Sequence, residues 1–182
     1  MDTTGPADPW TSARSLRDLA DATIDFLEGR LQETPSHMGP PDSESAGLIP
    51  ELVSMNGAGF VTTDSQPGVC DTSIRSGQRA YVTGFCSEEV AATIEAGLLF
   101  NELVAVTFAP TVDAYSSITV TIDGNEPFTF LGRWSGGELD FYRNGDAHLN
   151  AALDSAWGVQ IFDPVWGRND RLWGAVLHAL NT

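Results

Sequence analysis

The sequence predicts one α/β domain of the mixed α+β kind, a mixed β-sheet flanked by helices. Three observations carry this. Apolar residues recur at spacings of three and four in 16–27 and again in 170–180, the period of a helix with one buried face. Short runs rich in β-branched and aromatic residues lie between them, bounded by Gly, Pro and Asp. The 182 residues, 42% of them hydrophobic, suit a single domain able to bury about 70% of its unfolded surface.

Residues 1–10, ending in Asp8-Pro9-Trp10, read as a polar N-terminal tail, and 11–182 as the domain. A first helix starts at Thr11 or Ser12, either able to cap it, and puts Leu16, Leu19, Thr23, Phe26 and Leu27 on one face before Gly29. Pro35, Gly39, Pro40 and Pro41 make 34–43 a loop. A second helix over 44–55 must bend or break at Pro50, which has no N–H to donate. Asn56-Gly57-Ala58-Gly59 then turns into a strand over 60–63, and 68–77 reads as loop. A strand over 78–85 precedes a helix over 87–99, capped by Ser87, with Glu88 and Glu89 at the favourable end of its dipole. Strands follow at 103–108, 117–122 and 127–131, with a hairpin turn at Asp123-Gly124. The Gly-rich 132–145 is irregular. A helix over 146–153, a strand over 157–162 and a helix over 170–180 close the chain.

Charge narrows the functions. All nine basic residues are Arg, so lysine Schiff-base chemistry and a P-loop lysine are excluded. Asp and Glu number 25 against those nine, for a net charge of −16, which makes nucleic acid and anionic membrane surfaces poor partners. The acids are spread along the chain with no run longer than two, unlike the dense blocks of a nucleic-acid mimic. The polar, acidic start predicts no signal peptide, and no apolar stretch approaches about 18 residues. The expected location is cytoplasmic. Cys70 and Cys86 are too few for a disulfide framework; whether they pair stays open.

Generic motifs are sparse. Gly57-Ala58-Gly59 precedes a strand and has no third Gly, so it reads as a turn and not as a dinucleotide fingerprint. His37, His148 and His178 show no ligand spacing, and no metal is expected. No Gly-x-Ser-x-Gly elbow is present.

The informative stretch is 44–85. Glu44-Ser45, then Asn56-Gly57-Ala58-Gly59-Phe60-Val61-Thr62-Thr63-Asp64-Ser65-Gln66-Pro67, then Gln78-Arg79-Ala80-Tyr81 form an ordered series. This series resembles the C-terminal regulatory domain of methylenetetrahydrofolate reductase. That family has a Glu-Thr pair opening a helix, an Asn-x-x-Gly-x-x-Thr-x-Asn-Ser-Gln-Pro segment at the same spacing, and a Gln-Lys-Ala-Tyr strand. Asp25-Phe26-Leu27-Glu28-Gly29 and 162–173 extend the likeness, while 100–145 matches poorly. The resemblance implies an α/β regulatory module that binds S-adenosylmethionine, with Glu44, Ser45, Thr62 and Ser65 lining the pocket. It also implies a homodimer. Ser45 stands for the family's Thr, Asp64 for its Asn and Arg79 for its Lys. A (β/α)₈ barrel alone needs roughly 200–250 residues, so neither the flavin-bearing catalytic barrel nor folate reduction is expected here.

The residue types suit that ligand. A carboxylate at a helix start can accept from a ribose diol or pair with an ammonium, and the Thr62 and Ser65 hydroxyls can point into one cavity. A sulfonium sits well beside acids and aromatics, for which Trp134, Trp157 and Trp166 are candidates. Each residue also has a structural role open to it. Glu44 and Ser45 suit a helix start, Thr62 a strand, and Ser65-Gln66-Pro67 a turn. Three functions follow: a stand-alone sensor of S-adenosylmethionine or S-adenosylhomocysteine that regulates a partner; a lyase or cyclase consuming that ligand, with Glu44, Asp64 and Tyr81 as proton-transfer candidates; or an acidic protein-interaction domain.

Overall fold

The structure, a computed structural model, describes residues 8–182; residues 1–7 of the expected tail lie outside it. Pro9–Ser12 forms a one-turn helix, α1, and Leu16–Leu27 forms α2. The single helix expected from Thr11 or Ser12 is therefore two. Ser15 is extended (φ −150°, ψ 165°) and its Oγ accepts the Asp18 N–H at 3.1 Å, so the helix restarts there. Pro50 divides the second expected helix: a 3-10 turn spans Ser43–Leu48, and α3 (Ile49–Gly57) carries Pro50 in its first turn, where no amide donor is needed. The helix closes on a Schellman motif. The Phe60 N–H reaches the Met55 carbonyl (3.1 Å) and the Gly59 N–H the Asn56 carbonyl (2.9 Å), with Gly59 at φ +91°.

The strands in order are β1 (Val61–Gln66), β2 (Val69–Asp71), β3 (Ser76–Gln78) and β4 (Tyr81–Cys86). After α4 (Glu88–Leu98) come β5 (Val104–Phe108), β6 (Ala114–Asp123) and β7 (Glu126–Trp134). A second 3-10 turn (Gly136–Tyr142) and α5 (Ala147–Asp154) lead to β8 (Trp157–Phe162) and α6 (Leu172–Leu180). The α+β class is as expected. In place of one mixed sheet, the strands form two antiparallel four-stranded sheets, ordered β1-β4-β8-β5 and β2-β3-β6-β7. The segment expected as loop at 68–77 supplies β2 and β3, which pair with each other and then with β6. Register shifts coil the β6–β7 ribbon, which lies across the first sheet instead of extending its edge.

The first sheet is buried on both faces, which is why β4 alternates without a polar side. Val82 and Cys86 meet Met55, Ile94, Trp173 and Val176 of the helices. Phe85 meets Leu19, Leu149 and Leu153, while Tyr81 meets Val120 and Leu131 of the second sheet. Each fully buried Leu or Phe contributes about 1.5–3 kcal/mol. At the seam between the sheets Trp134 lies over Gly158, where a Cβ would fall 2.5 Å from the indole, and stacks on Phe108 (5.8 Å, 8°). Gln160 fastens β7 to β8, accepting the Gly132 N–H (2.6 Å) and donating to the Arg133 carbonyl (2.8 Å). Both cysteines are free thiols; Cys70 is exposed, and burial pushes the Cys86 thiol up to about 12. Among the described residues no helix is long and apolar enough to cross a membrane, and no three metal-ligating side chains cluster.

Candidate functional site

Ser45, Thr62 and Ser65 line one cleft, enclosed by α2, the 34–43 loop, the first 3-10 turn and edge strand β1. In a regular strand, residues three apart face opposite sides. Thr62 lies opposite Gly84 but Asp64 opposite Thr83, so Thr63 is an extra residue, a β-bulge. The bulge turns Thr62 (8% exposed) and Ser65 (9%) to the same side. Gly84 permits it: a Cβ there would meet the Val61 carbonyl oxygen at 2.1 Å.

Asn56 sets the upper wall. Fully buried, it donates from Nδ2 to the Leu52 carbonyl and to Thr62 Oγ1, both at 2.8 Å, and accepts the Thr62 N–H at 3.2 Å. Thr62 Oγ1 thus accepts from Asn56 and keeps its own proton to donate. Ser45 Oγ donates to the Ser65 carbonyl (3.2 Å), joining the turn to the strand. The Ser65 hydroxyl has no hydrogen-bond partner among the described residues.

Of the three proton-transfer candidates only Asp64 lines the cleft. Tyr81 is buried behind it and its Oη donates to Asp64 Oδ2 at 2.9 Å. Loss of water around the Asp64 carboxyl raises its pKa above the ordinary carboxylate value; the Tyr81 hydroxyl and Ser65 N–H partly offset this, and Asp42 adds to it. As a residue, Asp64 is nonetheless exposed to solvent. Burial, and then the Asp64 charge, hold the Tyr81 phenol well above its usual range, so it is a fixed donor and not a base. Glu44 is exposed on the 3-10 turn, outside the cleft wall, though its charge is felt at Tyr81.

The three tryptophans are elsewhere. Trp134 and Trp157 pack in the core, and Trp166 already carries a cation, the Arg79 guanidinium, 4.4 Å from its ring centre. The aromatics of the cleft are Phe26 and Tyr142. Phe26 stands on the apolar stripe of α2 and so reads as core in the sequence; Tyr142 falls in the Gly-rich stretch, where nothing in the sequence points to it. His37 packs edge-on against Phe26 (5.9 Å), and Ser36 Oγ and Tyr142 Oη lie 3.1 Å apart, holding the loop over the cleft.

The cleft has about 620 Å³ of empty space out to its open mouth, of which about 90 Å³ admits the centre of a water-sized sphere. A wider groove of about 930 Å³ by the first measure, walled by Trp10, Leu31, Pro35 and Phe141, adjoins it through Thr34 and Tyr142, which line both. The charged side chains of the cleft wall are Asp42 and Asp64; no Arg lines it among the described residues.

Comparison with known proteins gives two findings. A family model described as "Domain of unknown function (DUF6919)" matches residues 5–182. A probable methylenetetrahydrofolate reductase (NADH) of Oryza sativa subsp. japonica is 29% identical over 119 residues, 58% of this chain. The match spans 20% of that relative's length.

Proposed function

The chain belongs to the family so described, and we propose that it is a module that binds S-adenosylmethionine or S-adenosylhomocysteine and signals its occupancy to a protein partner or a second copy of itself. One observation carries the reading. Ser45, Thr62 and Ser65, positions singled out by the likeness to the reductase regulatory domain, converge on one cleft: the β1 bulge brings Thr62 and Ser65 to one side, and Ser45 donates to the Ser65 carbonyl. Glu44 does not carry it. The distant reductase relative supports the same direction without extending its own chemistry to this chain.

The chemistry follows from the wall. Thr62 has a proton to donate, and Ser65 a free hydroxyl, for the hydroxyls or amino-acid end of such a ligand. The cleft is too narrow for a nucleoside as well, so the base takes the adjoining groove, against Trp10 and Phe141.

Calorimetric titration with S-adenosylmethionine, followed by chromatography of the ligand, tests this. The expected result is saturable binding with intact ligand, weakened about tenfold in Ser65→Ala. Absence of heat and of any thermal shift at millimolar ligand contradicts it. A new nucleoside product would make the protein a lyase or cyclase, with Asp64 as the group in reach.

A further inference from the structure

We infer that the cleft selects its ligand by positive charge, taking the sulfonium form of an adenosyl ligand over the neutral thioether. This rests on the adenosyl-ligand reading and adds which of the two forms the site holds.

The wall charges are of one sign. Asp42 and Asp64 both line the cleft, and Asp64 is held in place by the Tyr81 hydroxyl at 2.9 Å. The arginines nearest in sequence to the wall elements are occupied elsewhere. Arg17 pairs with Asp21 and Arg30 with Asp25, both on exposed surface; Arg143 pairs with Asp154 and lines the adjoining groove, with Asp8 and Glu33, but not the cleft; and Arg79 is stacked on Trp166. His37 is the one basic side chain in the lining among the described residues; its ring packs on Phe26 and its Nε2 lies 3.2 Å from the Pro40 carbonyl. The remaining walls are the Phe26 and Tyr142 rings and the small hydroxyls.

A sulfonium accepts no hydrogen bond and is poorly served by hydroxyls. It gains from carboxylates and ring faces in a site partly shielded from water. The neutral thioether gains nothing from either carboxylate. The amino-acid carboxylate, repelled by Asp42 and Asp64, is common to both ligands and cancels in their ratio. The chain's net charge of −16 adds a long-range field of the same sign.

The experiment measures the affinities of S-adenosylmethionine and S-adenosylhomocysteine for the full chain, for Asp64→Asn and for the double variant that adds Asp42→Asn. Asp64→Asn keeps the size of the side chain and an acceptor for Tyr81, and its thermal melt checks the fold. The inference predicts the sulfonium ligand bound about tenfold tighter, with the ratio falling toward one in Asp64→Asn and in the double variant. Equal affinities in the unaltered chain, or a preference that survives both substitutions, overturn charge selection and leave the adenosyl reading standing. Failure of both ligands to bind overturns the two together.

Discussion

The cleft wall and the seam between the sheets both contain buried polar groups, but they treat them oppositely. At the seam, Gln160 uses its amide oxygen and nitrogen on the β7 backbone, and Gly158 leaves no room beneath Trp134. One donor there, Trp134 Nε1, finds no acceptor among the described residues, and stacking on Phe108 carries that indole instead. In the cleft, Asn56 is engaged in holding Thr62, yet the Thr62 hydroxyl it supports keeps a proton to donate. Buried polarity that is used up specifies the fold. Buried polarity left over, facing an open cleft, is what a ligand needs.

Substitutions sharpen that contrast. The largest effect is expected for Asn56→Ala, which strands the buried Thr62 N–H and removes the donor to Thr62 Oγ1. It should cost about 3 kcal/mol in urea unfolding and abolish ligand binding. Gly158→Ala comes next, at about 2 kcal/mol with a changed near-ultraviolet circular dichroism, because its Cβ would strike the Trp134 ring. A cost below about 0.5 kcal/mol there would break the description of the seam as space-filled. Ser65→Ala should change stability by less than about 0.5 kcal/mol while weakening the ligand about tenfold, since its hydroxyl holds nothing in the free protein.

The smallest effect is on pH dependence. Because folding raises the Asp64 pKa above its ordinary value of 3.8, ionised Asp64 disfavours the fold. The stability of the unaltered chain relative to Asp64→Asn should therefore decrease as pH rises from that value through the raised one. Cation affinity should increase over the same window. Asp42, His37 and Tyr81 surround the group and are common to both proteins. Paired melts of the two proteins at stepped pH measure this, and a difference independent of pH contradicts it.

Much of the framework was legible in the sequence. Ser87 caps α4, Asp146 caps α5, and β8 occupies its expected residues because apolar period and cap chemistry agree there. The α1–α2 break was not, since Thr11, Ser12 and Ser15 all offer cap chemistry and only the backbone at Ser15 decides among them. β2 and β3 escaped because 68–77 has no alternation of its own. They exist by pairing with each other, by the pairing of β3 with β6, and by contact with the 163–169 segment, where Gly167 donates to the Gln78 carbonyl. In the cleft, Ser45, Thr62 and Ser65 were pointed to only through the resemblance carried by the 44–85 series, since each alone also suits a cap, a strand or a turn. Phe26, His37, Asp42 and Tyr142 come from three distant segments, and only the folded chain brings them there.

The central claim is that the spare hydroxyls of the cleft are a binding surface for an adenosyl ligand. The most direct measurement is backbone amide NMR of the labelled protein titrated with S-adenosylmethionine. The account predicts saturable shifts at Ser45, Thr62, Asp64 and Ser65, and at Tyr142, with Gly132, Gly158 and Gln160 at the seam unmoved. Shifts confined to the seam or scattered over the second sheet, or none at millimolar ligand, would contradict it.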